Sequence, residues 1–268
     1  MDIYVNQRLK KVEEKTTLLE VKERFKKEAD IIIYNGFPFK ENKILKPFDE
    51  IVLIKRGEVP KEDELEALMV ARHTPKVHEK LKKARVGIAG LGGLGSNAAV
   101  SLARIGVGTL VLVDFDVVEP SNLNRQYYFT KNIGMKKTEA LSQIIKDCNP
   151  YIEVNAVDAF LDEGNIEDIF KNVDIIIEAF DNPVCKAELV NTVLKKMKDK
   201  IIVAASGMAG YETANTIITR KLRHNFYMVG DLKTEAEIGR GLMAPRVAIA
   251  ANHEANAVLR IILKEESE

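Results

Sequence analysis

The chain has 268 residues, 46% of them hydrophobic and 30% charged, with 40 Lys+Arg set against 40 Asp+Glu. That length supports a sizeable core in one or two domains of ~100–200 residues each, and the apolar share excludes a disordered chain. Zero formal net charge gives no global field for nucleic acid or an anionic membrane. No apolar run reaches the ~18–20 residues of a membrane span, and no basic n-region with a long apolar stretch marks a secretory signal.

The first 57 residues read as strand, strand, helix, strands. Ile3-Tyr4-Val5 and Leu9 to Val12 flank Asn6-Gln7, a tight connection. Thr16 or Thr17 can cap a helix that carries Leu18, Val21 and Phe25 at helical spacing. Ile31 to Tyr34 is a strand closed by Asn35-Gly36, and Ile51 to Ile54 is another. The order suggests a small ubiquitin-like β-grasp unit, marginal alone by size. Residues 58–84 are dense in charge, with Leu65, Leu68 and Met69 at helical spacing, and predict a helical connector with a solvated charged face.

From Arg85 strands alternate with helices. Strands are predicted at Val86 to Ala89, Leu110 to Val113, Glu153 to Ala156, Val173 to Ile177 and Ile201 to Ala205. Helices are predicted from Ala98 to Ile105, stopped by Gly106, and near 136–148, 184–198 and 246–263. The expected fold is α/β: a Rossmann-like, mostly parallel sheet over residues 85–268, covered by helices on both faces. Its ligand would sit beyond the carboxyl ends of the strands, where strand order reverses.

The residues at those strand ends carry the functional signal. Gly90-x-Gly92-Gly93-x-Gly95 stands between a strand and a helix, where glycines let backbone N–H groups approach phosphates. On this loop alone, a nicotinamide-dependent oxidoreductase and an ATP enzyme stand level. Asp114 ends the next strand, the place for a carboxylate that accepts ribose hydroxyls. The run from Asp114 through Asp116, Asn122 and Arg125 to Gln126 is rich in phosphate-competent groups. A hydride-transfer site needs no Arg there, whereas an adenylating site does, because charge builds on the phosphates as pyrophosphate leaves. Lys136 and Lys137 open a helix against its dipole; Lys136 is expected to extend into water, and Lys137 is the better phosphate candidate. Asn182 and Pro183 suit the cap and first residue of a helix. Asp181 has no such role and would face the crevice, where Mg²⁺ on a nucleotide could use a hard carboxylate.

The glycine loop with Ser96, the Asp114–Gln126 run, Lys137, Asp181-Asn182 and Gly241-Leu242-Met243-Ala244-Pro245 together resemble the ThiF/MoeB/HesA family, bacterial relatives of the ubiquitin-activating enzymes. The likeness covers roughly residues 70–264, and within the family it is greatest to ThiF-type enzymes. Residues 1–57 resemble a ThiS-like β-grasp domain. The resemblance implies an adenylyltransferase that uses ATP and Mg²⁺ to activate the C-terminal glycine carboxylate of a ThiS-like sulfur carrier in thiamine thiazole synthesis. It implies that Gly90, Gly92, Gly93 and Gly95 shape the nucleotide loop and that Asp114 holds the ribose. Asn122, Arg125 and Lys137 would contact the phosphates, Asp116, Gln126 and Asn182 would complete the nucleotide site, and Asp181 would position Mg²⁺. A homodimer is implied too, with Arg72 near the place from which the family often serves the partner subunit's site.

Two departures qualify the likeness. The family's paired Cys-x-x-Cys zinc site is absent, since Cys148 and Cys185 are the only cysteines; no structural zinc and no disulfide framework are expected, and a reducing, cytoplasmic compartment fits. Both cysteines are expected chiefly as packing residues, although Cys185, four positions past Asp181, invites a sulfur-transfer role. The front domain ends Lys55-Arg56-Gly57-Glu58 and continues as chain, so the carrier is expected as a separate protein with a free Gly-Gly end. The alternatives are another acceptor, namely a molybdopterin carrier or a tRNA base, then a nicotinamide-dependent oxidoreductase, and last a non-catalytic binding module. The neutral charge and the lack of a basic stripe count against nucleic acid.

Overall fold

A computed structural model describes residues 1–73 and 75–265. It divides into two compact units, Met1–His78 and a second from Glu79 onward. This division falls inside the 58–84 segment expected as a connector.

In the first unit, strands β1 (Asp2–Val5) and β2 (Arg8–Lys11), helix α1 (Leu18–Lys26), and strands β3 (Ile31–Tyr34), β4 (Phe37–Pro38) and β5 (Glu50–Ile54) make a sheet in the order β2-β1-β5-β3-β4. β1 pairs in parallel with β5, and the hairpins on either side are antiparallel. Asn6 and Gln7 turn the first hairpin with φ of 47° and 64°. Asn35 and Gly36 turn the second with φ of 46° and 87°, the left-handed pair that matches strand twist. Thr17 caps α1 in a capping box with Glu20. Alternate strand residues Ile3, Val5, Ile51 and Leu53 meet Leu18 and Val21 of α1 in the core, which is the β-grasp arrangement expected from the sequence. Helix α2 (Glu62–His73) follows, tied to the β1–β2 hairpin by Arg8–Asp63 at 2.7 Å and by Asn6–Glu64. Helix α3 (Pro75–Lys83) lies in the same segment, so its described residues are largely helical, as expected of the connector.

The second unit holds strands β6 (Arg85–Ala89), β7 (Thr109–Asp114), β8 (Glu153–Asp158), β9 (Ile175–Glu178), β10 (Ile201–Ala205), β11 (Ile218–Arg223) and β12 (Phe226–Gly230). Between and after them run helices α4 (Gly93–Arg104), α5 (Lys137–Cys148), α6 (Ile166–Phe170), α7 (Pro183–Lys196) and α8 (Ala244–Leu263). The sheet order is β11-β12-β10-β9-β6-β7-β8, parallel except for β11. β7 and β9 are buried along their whole length, as strands covered on both faces must be, and so they read as continuous apolar runs. β11 and β12 lie outside the expected elements. β11 is a charged edge strand, Ile218-Thr219-Arg220-Lys221-Leu222-Arg223, whose composition guards an open edge and hides its strand character. Among the described residues no helix is long and apolar enough to cross a membrane.

The chain runs outward from β6 to β7 and β8, then returns to the other side of β6 for β9 and β10. Strand order therefore reverses between β6 and β9, and the loops that follow these strands part there to open a crevice.

Candidate active site

A cleft of 620 Å³ occupies that switch point. Gly90, Gly92 and Gly93 after β6, Asp114 and Asp116 after β7, and Asp181 and Asn182 after β9 all line it, together with Arg125, Gln126 and Lys137. Residues spread over nearly 100 positions of sequence are thus brought to one cavity.

The glycine loop is built by close backbone approach. Gly90 has φ +88°, and a Cβ on Gly95 would lie 1.9 Å from the Gly90 carbonyl oxygen. Gly95 does not line the cleft; its role is to let α4 start directly against the loop. No side chain caps the N-terminus of α4, so its first amides stay open to an anion. Polar contacts fasten the segment 121–128 over this loop. Ser96 Oγ accepts from the Tyr127 amide at 2.9 Å, Asn97 Nδ2 donates to the Arg125 carbonyl at 3.1 Å, and Tyr128 Oη donates to the Leu91 carbonyl at 2.9 Å. Asn124 Nδ2 reaches the Leu242 carbonyl at 2.9 Å, which joins the Gly241–Pro245 motif to the same wall. Burial raises the Tyr128 hydroxyl well above its ordinary pKa, with Asp114 and Asp116 adding to the effect.

Asp114 is buried, and its carboxylate accepts from Leu91 N at 2.7 Å and Asp116 N at 2.8 Å. A carboxylate has about four acceptor positions, so it keeps capacity for ribose hydroxyls. Lys137 is buried too, with Nζ 2.8 Å from Asp116 and 3.9 Å from Asp114. Arg125 donates from Nη1 to Asn124 Oδ1 at 2.8 Å and to the Ser121 carbonyl at 3.3 Å, which leaves its other guanidinium donors for a phosphate. Asp181 is exposed on the rim and makes no hydrogen bond or ion pair with any described residue. Asn182 caps α7 by accepting from Val184 N and Cys185 N, as its sequence context predicts.

Three placements differ from expectation. Asn122 is absent from the cleft lining: its Oδ1 accepts from Glu119 N at 3.1 Å to close a 3₁₀ turn, so it shapes the segment that carries Arg125. Lys136 does not simply extend into water but pairs with Asp158 at 3.2 Å. Cys185, expected to pack, is half-buried and lines the cleft. Arg72 is exposed on α2. Sequence reasoning also missed Lys186, which lines the cleft, and its buried partner Glu178. The one available signal was an acid closing the otherwise apolar strand Ile175-Ile176-Ile177.

The model of the ThiF family matches residues 65–268, and that of the ThiS-like ubiquitin family matches residues 1–57. The chain belongs to the ThiF family.

This ThiF-family chain is 39% identical over 140 residues to the adenylyltransferase and sulfurtransferase UBA4 of Candida glabrata, covering 52% of the chain and 32% of that relative. It is 36% identical over 148 residues to the tRNA threonylcarbamoyladenosine dehydratase of Haemophilus influenzae, covering 54% and 56%. To the SAMP-activating enzyme E1 of Haloferax volcanii it is 38% identical over 109 residues, 40% of each protein. The chain thus spans between about a third and just over half of these curated relatives. Among solved structures, the AMP complex of the E. coli tRNA N6-threonylcarbamoyladenosine dehydratase TcdA shares the fold, with a TM-score of 0.69, 21% identity, and coverage of 78% of this chain and 98% of that one.

Proposed function

We propose that the cleft binds ATP and adenylates the C-terminal carboxylate of a ubiquitin-like sulfur carrier supplied as a separate chain. The observation that carries this reading is the convergence of the glycine loop, Arg125, Lys137 and Asp181 on one cavity at the switch point. The open N-terminus of α4 would receive phosphates, and Asp114 with Asp116 the ribose. Gln126, whose Oε1 is buried without a donor among the described residues, and Asn182 complete the nucleotide wall.

The chemistry needs no general base. A terminal carboxylate has a pKa of roughly 3.3–3.7 and is ionised at pH 7. It attacks the α-phosphorus, the bond to the β-phosphate breaks, and pyrophosphate leaves while an acyl-adenylate forms. Arg125 and Lys137 stabilise the charge gathering on the leaving phosphates, in a site held ready before the reaction. Orientation of carboxylate and α-phosphate supplies the rest. The unpartnered Asp181 carboxylate fits Mg²⁺ carried on the nucleotide, a cation that would neutralise phosphate charge. Among the described residues no three His, Cys, Asp or Glu are grouped for a metal, so the phosphates would provide most of its ligands.

The match of residues 1–57 to the ThiS-like ubiquitin family supports a carrier protein over a nucleic acid as acceptor. A role in thiamine thiazole synthesis, a homodimer and a reducing cytoplasmic setting, with both thiols free, belong to the same reading. We read residues 58–84 as the connection between a carrier-like module and the adenylating domain. A tRNA base is the second reading, favoured by the 36% identity to the Haemophilus dehydratase.

Exchange of labelled pyrophosphate into ATP tests the proposal. With Mg²⁺ and a carrier ending in Gly-Gly the chain should catalyse exchange; with tRNA it should not. Exchange that requires tRNA would replace the carrier by the second reading, and tight binding of NADH without exchange would remove adenylation altogether.

A further inference from the structure

Glu178 is the last residue of β9, and none of it reaches solvent. A carboxylate in that position is costly unless its oxygens are satisfied and its charge is matched. The amide of Phe180 donates to Oε1 at 2.8 Å. The ammonium of Lys186, from the first turns of α7, pairs with Oε2. Burial pushes the Glu178 carboxyl up, and Lys186 together with the Phe180 amide opposes that push. Lys186 Nζ makes a second bond, to the carbonyl of Ala205 at the end of β10, 2.9 Å away.

This side chain therefore joins three structures at the cleft: the end of β9, the start of α7 and the end of β10. The turn held between Glu178 and Lys186 is the one that carries Asp181 and Asn182. Asp181 has no side-chain partner among the described residues, so the backbone aims it. That backbone is anchored at Phe180 N, at the Asn182 cap and through Lys186. A pair of apolar residues could stabilise the same place as well as an ion pair does, but would not fix a direction. Lys186 lines the cleft, but its ammonium is held to the protein wall by Glu178 and by the Ala205 carbonyl, on two different strand ends.

We propose that Lys186, locked on Glu178, is a positioning residue of the adenylation reaction: it ties the Asp181 turn, which follows β9, to the end of β10 and does not bind the nucleotide. This rests on the adenylation reading. The test compares the full chain with Lys186→Met, Lys186→Arg and the double variant Lys186→Met/Glu178→Gln, which buries no unmatched charge and folds even where the single Met variant does not. In pyrophosphate exchange with a Gly-Gly carrier, kcat should fall about 10–100-fold in the Met and double variants. KM for ATP and the calorimetric Kd for ATP should stay within about twofold, and Lys186→Arg should restore most of kcat. Hydrogen exchange of the amides at 180–185 should quicken about tenfold in the Met and double variants. A double variant with normal kcat and normal exchange at 180–185 overturns the proposal. So does a Met variant that loses ATP affinity at unchanged kcat, since Lys186 would then be a phosphate ligand. If the wild-type chain activates no acceptor, the adenylation reading has failed, and the amide exchange alone decides whether Lys186 holds the turn.

Discussion

Glu254 sits on the buried side of α8 with no solvent exposure, and neither carboxyl oxygen has a donor among the described residues. Burial first, then repulsion by Glu178, raises its pKa well above the ordinary carboxylate value, with Lys186 opposing. A group raised in the folded state holds its proton there while the unfolded chain gives it up. Stability is then full below the ordinary carboxylate pKa and declines as pH rises toward the folded value, by about 1.4 kcal/mol per pH unit. Glu254→Gln removes this linkage. Urea unfolding should show the variant and the parent within about 1 kcal/mol at pH 4.5 and the variant clearly more stable at pH 8; an equal difference at both pH values would show that Glu254 is ionised in the folded chain. Asp181→Ala makes the opposite kind of prediction. It removes an exposed, unpartnered side chain, so melting temperature should stay within about 2 °C while pyrophosphate exchange disappears. That Asp181, Arg125, Lys137 and Gly90, Gly92 and Gly93 meet at one cleft was legible in the sequence because each stands in a connection that leaves a predicted strand's carboxyl end. Asn122 was misjudged because an Asn before a tight turn serves the backbone equally well, and only coordinates separate the two uses. Lys186 and Glu254 were missed because each looks like an ordinary charged helix residue until the fold packs it beside Glu178.

Two contacts between elements set the cleft's walls. Arg246, buried near the start of α8, donates to the carbonyls of Glu212 and Thr213, each at 3.0 Å, and to Thr216 Oγ1, and pairs with Asp231 at 2.6 Å. Burial pushes the Asp231 carboxyl up, but the amides of Thr234 and Lys233, the Thr234 hydroxyl and Arg246 more than offset it and hold it below the usual carboxylate range. The clamp therefore fastens to α8 the segments whose Met208, Ala209, Thr234 and Glu235 line the cleft. Arg246→Met takes the cation from the half-buried Asp231 and the donor from the Glu212 and Thr213 carbonyls, and should cost about 3–5 kcal/mol in urea unfolding; a loss under 1 kcal/mol would mean that the clamp carries little. On the other side of the cleft, Gly95→Ala drives a methyl into the Gly90 carbonyl, so α4 must shift from the loop. A loss of about 1–3 kcal/mol and a weakened calorimetric affinity for ATP are expected. The strand–helix alternation was legible because buried parallel strands are apolar throughout. The β11–β12 pair was not, because an edge strand is selected for charge rather than for apolar pattern.

At the scale of the molecule, a ThiS-like unit and a ThiF-family domain share one chain. The unit's Gly57 is followed by Glu58 and the rest of the polypeptide, so it presents no terminal carboxylate. Incubation with ATP and Mg²⁺ should therefore leave the intact mass of the chain unchanged, while a separate Gly-Gly carrier gains an adenylate. Division into a β-grasp unit and a Rossmann-like unit was readable from the order of elements, whereas the unit boundary at His78 falls inside a run of helical pattern that carries no turn signal. The most direct measurement supplies ATP labelled at the α-phosphate with Mg²⁺, a Gly-Gly carrier and tRNA in one reaction and locates the label. Label on the carrier, lost when Asp181 is replaced by Ala, is the predicted result; label on tRNA, or on the carrier undiminished in the Asp181 variant, would contradict the account.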